Sequence, residues 1–235
     1  IDDGAGMGSE ELTEAMRAGG RNPLEDRPAH DLGRFGLGLK TASFSQARTL
    51  AVASSSDGIV STRCWDLDYV GSTGEWRLLT EVDQNTAALL ELPAGRRSGT
   101  VVVWQNLDRV VGRVRTDDRE AHNHFLGRIE TVQQHLAMVF HSYLEGPSPI
   151  LRIFINGRSE SYLVVPWDPF LHSHPATYAT PPETVGPARL QGFVLPHHDR
   201  FDGEEEYIKG GGPHGWSAQQ GFYVYREKRL LVAGG

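Results

Sequence analysis

Ile1-Asp2-Asp3-Gly4-Ala5-Gly6-Met7 joins a carboxylate to a tight glycine turn and then to an apolar side chain. A carboxylate accepts a hydrogen bond from an exocyclic amine, such as the amine of adenine. Gly4 and Gly6 let the backbone approach a flat ring, and Met7 offers a soft apolar surface against it. The alternatives are a simple Asp-Gly turn and a calcium loop. A calcium loop needs regularly spaced oxygen ligands, which Ala5 and Met7 do not supply.

A second glycine-rich segment, Gly33-Arg34-Phe35-Gly36-Leu37-Gly38, leads into a predicted helix. Glycines that enter a helix bring backbone N–H groups beside its positive end, which is what phosphate oxygens need. The spacing of a P-loop is off by one, because Leu39 separates Gly38 from Lys40. A dinucleotide fingerprint also fails, because no apolar strand precedes Gly33. For this segment alone, a flexible glycine turn is an equally good interpretation.

A third segment, Ser98-Gly99-Thr100, leads into the apolar strand Val101-Val102-Val103-Trp104. By itself it indicates only a turn before a strand. Its value lies in the order of the three segments along the chain.

In this order the three segments resemble the ATP-binding boxes of the GHKL superfamily, which includes gyrase, a heat-shock chaperone, histidine kinases and MutL. The first two boxes are most similar to those of MORC-type and related bacterial members. The resemblance implies an α+β fold, in which a Bergerat-type α/β sandwich (a mixed sheet with helices on one face) precedes a transducer-like, β-rich α/β domain. It implies an ATP-binding domain over residues 1–144, lacking its first helix, and a transducer-like domain over residues 145–235, incomplete at its C-terminus.

The resemblance also implies a role for each matching residue. Asp2 would bind the adenine amine, and Thr100 beside it would complete adenine recognition through water. Residues 8–32 would form a lid, and Lys40 would add charge near the phosphates. The implied ATP-binding residues are Asp2, Gly4, Gly6, Met7, Gly33, Phe35, Gly36, Leu37, Gly38, Leu39, Lys40 and Thr100.

Relatives carry further functional groups that this sequence does not match. A helix before the Asp box supplies a Glu that activates water and an Asn that helps to hold Mg²⁺, and the sequence starts at Ile1. We therefore expect no catalytic Glu and no protein-held metal in this chain, with Mg²⁺ bound mainly through the phosphates of ATP. The relatives' transducer also brings a basic residue to the terminal phosphate. Val232 occupies that place here, and Lys228 and Arg229 are nearby candidates.

The function implied is an ATP-binding module in which ATP orders the lid and drives conformational change or dimerisation. The parent protein is expected to hydrolyse ATP, while this chain binds it without turnover. The alternative is a catalytically inactive nucleotide-binding or scaffold module. A histidine kinase is disfavoured by the transducer-like tail. The expected partners are ATP and a second copy of the chain, and the sequence does not decide between a protein and a DNA client.

The remaining pattern alternates between helix and strand. A helix is predicted from Ser9, strands over Thr49–Ala53, Ile59–Asp66, Trp76–Val82 and Thr100–Leu107, and a long helix with an apolar stripe from Phe125 to Tyr143. In the last third, Asn156-Gly157 predicts a hairpin between residues 150–155 and 162–165, and a final hairpin is expected between residues 221–225 and 229–232.

Composition agrees with a soluble protein of the cytoplasm. The chain has 235 residues and a formal net charge of -7, so its charge balance does not indicate nucleic-acid binding. Cys64 is the single cysteine, which excludes an intrachain disulfide and is expected to be a small buried side chain. No run approaches the roughly 18 apolar residues of a membrane helix. A zinc site among the histidines is the weaker interpretation, since most of them lie in predicted loops.

Overall fold

The protein is described by a computed structural model, which covers residues 1–17, 38–112 and 117–234. It is an α+β structure with two compact units, Ile1–Phe125 and Leu126–Gly235. The division between the units falls inside a long helix. The predicted domain boundary after residue 144 stays a prediction.

The first unit is built on a three-stranded antiparallel sheet in the order β2-β1-β3. A two-residue turn, Asp57-Gly58, joins β1 to β2, and both residues have positive φ angles of 54° and 86°. This geometry matches the twist of an antiparallel hairpin. The elements are α1 Ser9–Met16, α2 Gly38–Phe44, β1 Thr49–Ser56, β2 Ile59–Asp66, α3 Leu67–Thr73, α4 Gln84–Leu89, β3 Gly99–Gln105, α5 Asp108–Val111 and the start of α6 Arg119–Val139.

The central strand β1 is buried on both faces. On one face Leu50 and Val52 pack against Leu12 and Met16 of α1. The opposite face carries small side chains that pack in a second cluster, which contains Ala51, Ala53, Cys64, Leu90 and Val101. Because successive side chains of a strand alternate between faces, β1 forms the centre of two apolar layers. Cys64 is 4% exposed, which confirms its predicted burial.

The prediction of a strand over Trp76–Val82 is wrong. Over Trp76–Val82 the pairing is limited to one isolated bridge, between Leu79 and Cys64. The two successive leucines pack on opposite faces of the sheet. Leu78 packs against the cluster that contains Leu12 and Met16, and Leu79 packs against the cluster that contains Ala51. Trp76 makes an edge contact with Trp65 at a centroid distance of 5.8 Å and is otherwise largely exposed. The apolar alternation reflects these packing contacts rather than a continuous ladder.

The second unit combines the rest of α6 with short helices and three two-stranded ribbons. The predicted long helix is interrupted at Phe140, where ψ changes to 13°, and α7 continues from His141. Ala137 and Leu144 pack against Val164 in the core of this unit. The elements are α7 His141–Leu144, β4 Tyr178–Ala179, β5 Glu183–Val185, β6 Ala188–Leu190, β7 Phe193–Val194, α8 Glu204–Gly210, α9 Gly215–Ala218, β8 Val224–Arg226 and β9 Arg229–Val232, with 3₁₀ turns at Glu160–Tyr162 and His198–Arg200.

The two predicted hairpins of this unit differ in outcome. The final hairpin is confirmed, because β8 pairs with β9. Around Asn156-Gly157 the pairing is reduced to one bridge, between Phe154 and Leu163. The ring of Tyr162 lies against Gly157, where a Cβ atom would be 2.1 Å from the ring. Within the described ranges, no helix is long and apolar enough to cross a membrane.

Candidate nucleotide site

The first glycine segment, Asp2 to Met7, is called the Asp box here and lies beside strand β3. The backbone N–H of Asp2 donates to the carbonyl of Thr100 at 2.8 Å, and the N–H of Thr100 donates to the carbonyl of Asp2 at 3.3 Å. These two bonds form an antiparallel bridge. Thr100 is also paired directly with Ser54 of β1. Residues directly opposite in antiparallel strands point to the same face, so Asp2, Thr100 and Ser54 form a polar row on one side of the sheet.

The two aspartates of the box have different surroundings. The Oδ1 atom of Asp2 accepts from the N–H of Gly4 at 3.0 Å, which fixes the turn while the side chain stays exposed. Asp3 points to the other face and forms an exposed ion pair with Arg96 at 3.0 Å. Of the two, Asp2 therefore is the residue whose side chain is on the same face of the sheet as that of Thr100.

Two glycines allow the box to come this close to the sheet. Gly6 has a φ of 73°, and a Cβ atom there would be 1.7 Å from the carbonyl oxygen of Ser55. Gly99 has a φ of 139°, and a Cβ atom there would be 2.5 Å from the carbonyl oxygen of Asp2. Both obstacles are backbone atoms, which cannot rotate away as a side chain does. Any larger residue at Gly6 or Gly99 would separate the box from the sheet.

Ser54 is a residue of this region that sequence reasoning missed. Its side chain has no exposed surface. Its Oγ accepts from the N–H of Met7 at 2.8 Å and lies 2.9 Å from the Oγ1 of Thr100 and 3.3 Å from the carbonyl oxygen of Gly99. A buried hydroxyl requires partners, but the sequence does not single Ser54 out, because it is the first of three consecutive serines at the end of β1.

Of the second glycine box, only Gly38 lies within the described residues. The predicted phosphate ligands Gly33, Phe35, Gly36 and Leu37 lie outside the described residues. Gly38 is the first residue of α2. Leu39 packs against the apolar cluster beneath α1.

Lys40 binds the end of helix α1. Its Nζ donates to the carbonyl of Ala15 at 2.8 Å, and the residue is only 6% exposed. The Nε1 of Trp65 donates to the next carbonyl, that of Met16, at 2.9 Å. The last carbonyls of a helix have no partners within it, so both side chains cap α1. Burial lowers the pKa of Lys40.

The predicted lid over residues 8–32 includes a segment that belongs to the core. Within it, α1 buries Leu12 and Met16 completely. Arg63 of β2 also holds α1 through bonds to the hydroxyl groups of Thr13 at 2.9 Å and Ser9 at 2.8 Å. Residues 18–32 lie outside the described ranges.

The candidate basic residues of the second unit occupy the β8–β9 hairpin. Lys228 is exposed and lies in the two-residue turn with Glu227, where both φ angles are positive (47° and 66°). The hydroxyl of Tyr143 donates to the carbonyl of Glu227. Arg229 lies over the ring of Phe140 at 5.6 Å, a packing role. The assignment of Lys228 to a terminal phosphate stays a prediction.

The histidines are distributed among local contacts. Throughout residues 1–17, 38–112 and 117–234, no three His, Cys, Asp or Glu side chains are grouped to hold a metal ion. His172 bonds to Asp168 at 2.8 Å and His198 to Glu204 at 3.0 Å. His141 is buried, and its Nε2 lies 2.8 Å from the hydroxyl of Tyr225.

The fold and the first box define the class of protein that this region resembles. An antiparallel sheet with helices, and an Asp-Gly turn paired to one of its strands, is consistent with a GHKL-type α+β nucleotide-binding fold. Residues 1–100 match the model of a family described as histidine kinase-, DNA gyrase B- and HSP90-like ATPase. The match supports the GHKL superfamily, and with it an ATP-binding module, for this part of the chain. No curated protein matches the chain.

Proposed function

We propose that residues 1–100 bind ATP, with the adenine base held at Asp2 and Thr100. The observation that carries the proposal is the Asp2–Thr100 bridge, which brings an exposed carboxylate and a hydroxyl from distant parts of the chain to one face of the sheet. The glycines at positions 6 and 99 support it, because they allow close backbone approach around this pair. The family match over the same residues supports it independently.

The chemistry of this pair favours adenine over guanine. An ionised carboxylate only accepts hydrogen bonds, so Asp2 pairs with the 6-amino group of adenine. Guanine carries a carbonyl oxygen at that position, and two acceptors would then face each other. An unpaired polar group of this kind costs roughly 1–3 kcal/mol, which corresponds to a preference of about tenfold or more.

The phosphates are assigned to the second box. We place them at the backbone amides around Gly38, with Lys40 as an added positive charge, on the strength of the motif alone. In the described residues no acidic or histidine cluster fits a protein-held metal. We propose, from the chemistry of ATP itself, that Mg²⁺ enters with the nucleotide and is bound mainly through its phosphates.

Nucleotide affinity tests this proposal. The experiment is calorimetry with the 235-residue chain, Mg²⁺ and a non-hydrolysable ATP analogue. Asp2→Asn should weaken binding at least about tenfold, because it replaces an acceptor with an amide that can present a donor to the amine. Asp3→Asn is the matched control and should stay within about twofold, since its exposed ion pair contributes little. Absence of binding by the wild-type chain, or equal affinity of the Asp2→Asn variant, would overturn the proposal.

We further propose that ATP binding changes the conformation and the oligomeric state of the protein. In relatives of the superfamily ATP closes a lid and a dimer, and we extend this behaviour, together with a MORC-type subfamily, to this protein. Its support is the sequence of the two boxes. Light scattering with and without the ATP analogue tests it. A monomer under both conditions, at concentrations that saturate binding, would contradict dimerisation while leaving ATP binding intact.

A further inference from the structure

Ser54 connects three parts of the proposed base site from beneath. It lies on β1 with no exposed surface, and its hydroxyl contacts the Met7 N–H, the Thr100 hydroxyl and the Gly99 carbonyl. None of the three ATP boxes contains this residue. We propose that Ser54 is a positioning residue that orients the Thr100 hydroxyl as a donor toward the base and thereby sets the preference for adenine. The inference rests on the proposed function.

The number of protons restricts the possible arrangements. A serine hydroxyl has one proton and two acceptor sites. One acceptor site is used by the N–H of Met7, at 2.8 Å. The proton then goes either to the Oγ1 of Thr100, at 2.9 Å, or to the carbonyl of Gly99, at 3.3 Å. In the second case the Thr100 hydroxyl donates to Ser54 over the same 2.9 Å contact. That case needs a Ser54 bond of 3.3 Å, longer than the about 2.5–3.0 Å that hydroxyl donors prefer, so the proposal takes Ser54 as the donor to Thr100.

This arrangement determines what Thr100 can offer a ligand. If Ser54 donates to Thr100, the proton of Thr100 is directed elsewhere, and its hydroxyl acts as a donor toward the face that it shares with Asp2. The site then presents an acceptor at Asp2 and a donor at Thr100. Adenine carries the complementary pair, an amino donor next to a ring-nitrogen acceptor. Guanine carries the opposite pair at the same edge, a carbonyl acceptor next to a ring N–H.

Loss of the Ser54 hydroxyl should therefore change selectivity as well as affinity. In Ser54→Ala, Thr100 loses the donor that fixes its orientation, and Met7 loses the acceptor for its N–H. A purely structural role would lower the affinities for both purine nucleotides by the same factor. The ratio of the two affinities separates these cases.

Ser55 offers a matched control on the same strand. It is 2% exposed, and its hydroxyl donates to the carbonyl of Arg97 at 2.7 Å. Because it follows Ser54 directly, its side chain lies on the opposite face of the sheet. Ser55→Ala thus removes an equally buried hydroxyl bond without touching the Thr100 hydroxyl.

The experiment compares the affinities of the Mg²⁺ complexes of non-hydrolysable ATP and GTP analogues for each variant. We expect Ser54→Ala to weaken ATP-analogue binding about tenfold and to reduce the ATP-to-GTP preference about fivefold or more. Ser55→Ala should keep the preference within about twofold of wild type. In a Thr100→Val background, Ser54→Ala should no longer alter the preference, because the hydroxyl through which it acts is gone.

Each failure has a distinct meaning. If the wild-type chain binds neither analogue, the proposed function fails and this inference fails with it. If the wild type binds and Ser54→Ala keeps the wild-type preference, only this inference is overturned. Should Ser54→Ala not fold, Ser54→Cys, which fills the site with a slightly larger group and a weaker donor, is measured in the same way. An unchanged preference in that variant overturns the inference as well.

Discussion

Lys40 Nζ donates to the carbonyl oxygen of Ala15 at 2.8 Å, so the residue that follows the second glycine box is bonded to the end of the helix that follows the first. The ammonium is buried, and the carbonyl to which it donates is uncharged. Helix α1 is therefore a structural link between the two boxes. Any ligand that attracts the Lys40 ammonium would compete with this cap.

The buried ammonium predicts a pH dependence. Burial lowers the pKa of Lys40 below its ordinary value of 10.5. Between the lowered pKa and 10.5 the unfolded chain binds more protons at this residue than the folded chain does. The contribution of Lys40 to the free energy of unfolding therefore rises with pH across that window and levels off above it.

Lys40→Met should remove this rise. The free energy of unfolding in urea is measured for wild type and variant between pH 7 and pH 10. The difference between the two should change with pH, by about 1.4 kcal/mol for each unit by which the pKa is lowered. Arg17→Met, an exposed change at the end of α1, is the control and should give a constant difference. A constant difference for Lys40→Met would show that Lys40 is solvated in the folded chain.

Gly6→Ala should be strongly destabilising. The new methyl group would meet the Ser55 carbonyl oxygen at 1.7 Å, and the residue would have to keep a φ of 73°. Left-handed backbone alone costs an alanine roughly 1–2 kcal/mol, and the displacement of the box adds to it. We expect a total loss above about 3 kcal/mol in urea unfolding, together with weaker nucleotide binding.

Gly71→Ala is the control for that substitution and should have the opposite sign. Gly71 lies inside α3, and a Cβ atom there would meet no atom within 4 Å. Alanine in a helix interior is more stable than glycine by about 0.5–1 kcal/mol. If Gly6→Ala lowered the free energy of unfolding by only about as much as Gly71→Ala raises it, the close contact between Gly6 and the Ser55 carbonyl would be contradicted.

Cys64 should react slowly in the folded protein. It is 4% exposed, and burial raises its pKa to about 11, with Asp66 and Asp83 adding to the effect. At pH 8 roughly one thiol in a thousand is then ionised, and the thiolate is the reactive form. A colorimetric disulfide reagent should label the native chain at least about a hundredfold more slowly than the chain in urea.

The measurement has no competing signal, because Cys64 is the single cysteine. The Cys64→Ser variant supplies the blank. Equally fast labelling with and without urea would contradict the burial of β2 against the Ala51 cluster.

His141 should make the second unit less stable in mild acid. Burial lowers the pKa of His141 below 6.5, against the opposing charges of Asp168 and Glu145. Below pH 6.5 the unfolded chain takes up a proton that the folded chain resists. The free energy of unfolding therefore falls as the pH drops from about 6.5 toward the pKa of the folded state.

Replacement by glutamine isolates this effect. His141→Gln should reduce the fall in the free energy of unfolding below pH 6.5. His135→Gln, an exposed change on α6, should leave that fall as it is in wild type. The readout is the urea midpoint between pH 5 and pH 8. If both variants retain the wild-type slope, another group is responsible for that fall.

The sequence predicted the parts of this structure that depend on local pattern. The strands around Ala51 and the β8–β9 hairpin follow from alternation and turn chemistry. The adjacency of Asp2 and Thr100 came from the order of the three boxes, since no local pattern predicts a bridge between residues so far apart. The superfamily resemblance thus supplied the long-range information.

Other features depend on tertiary packing and had no local signal. Ser54 appears in sequence as one serine among three, and only the pairing of β1 with β3 places it beside Thr100. Lys40 follows a glycine box, and nothing in the sequence indicates the carbonyl of Ala15 as its partner. Over Trp76–Val82 the apolar pattern was real, but packing in two separate clusters replaced the expected strand.

The turn at Glu227-Lys228 identifies a place where this protein can be engineered. Two residues with side chains occupy left-handed conformations that Asn-Gly adopts with less strain, so an Asn-Gly graft should raise the melting temperature of the second unit. The same graft deletes the lysine. A designer who uses this chain as a scaffold must therefore choose between a more robust hairpin and a cation at its tip.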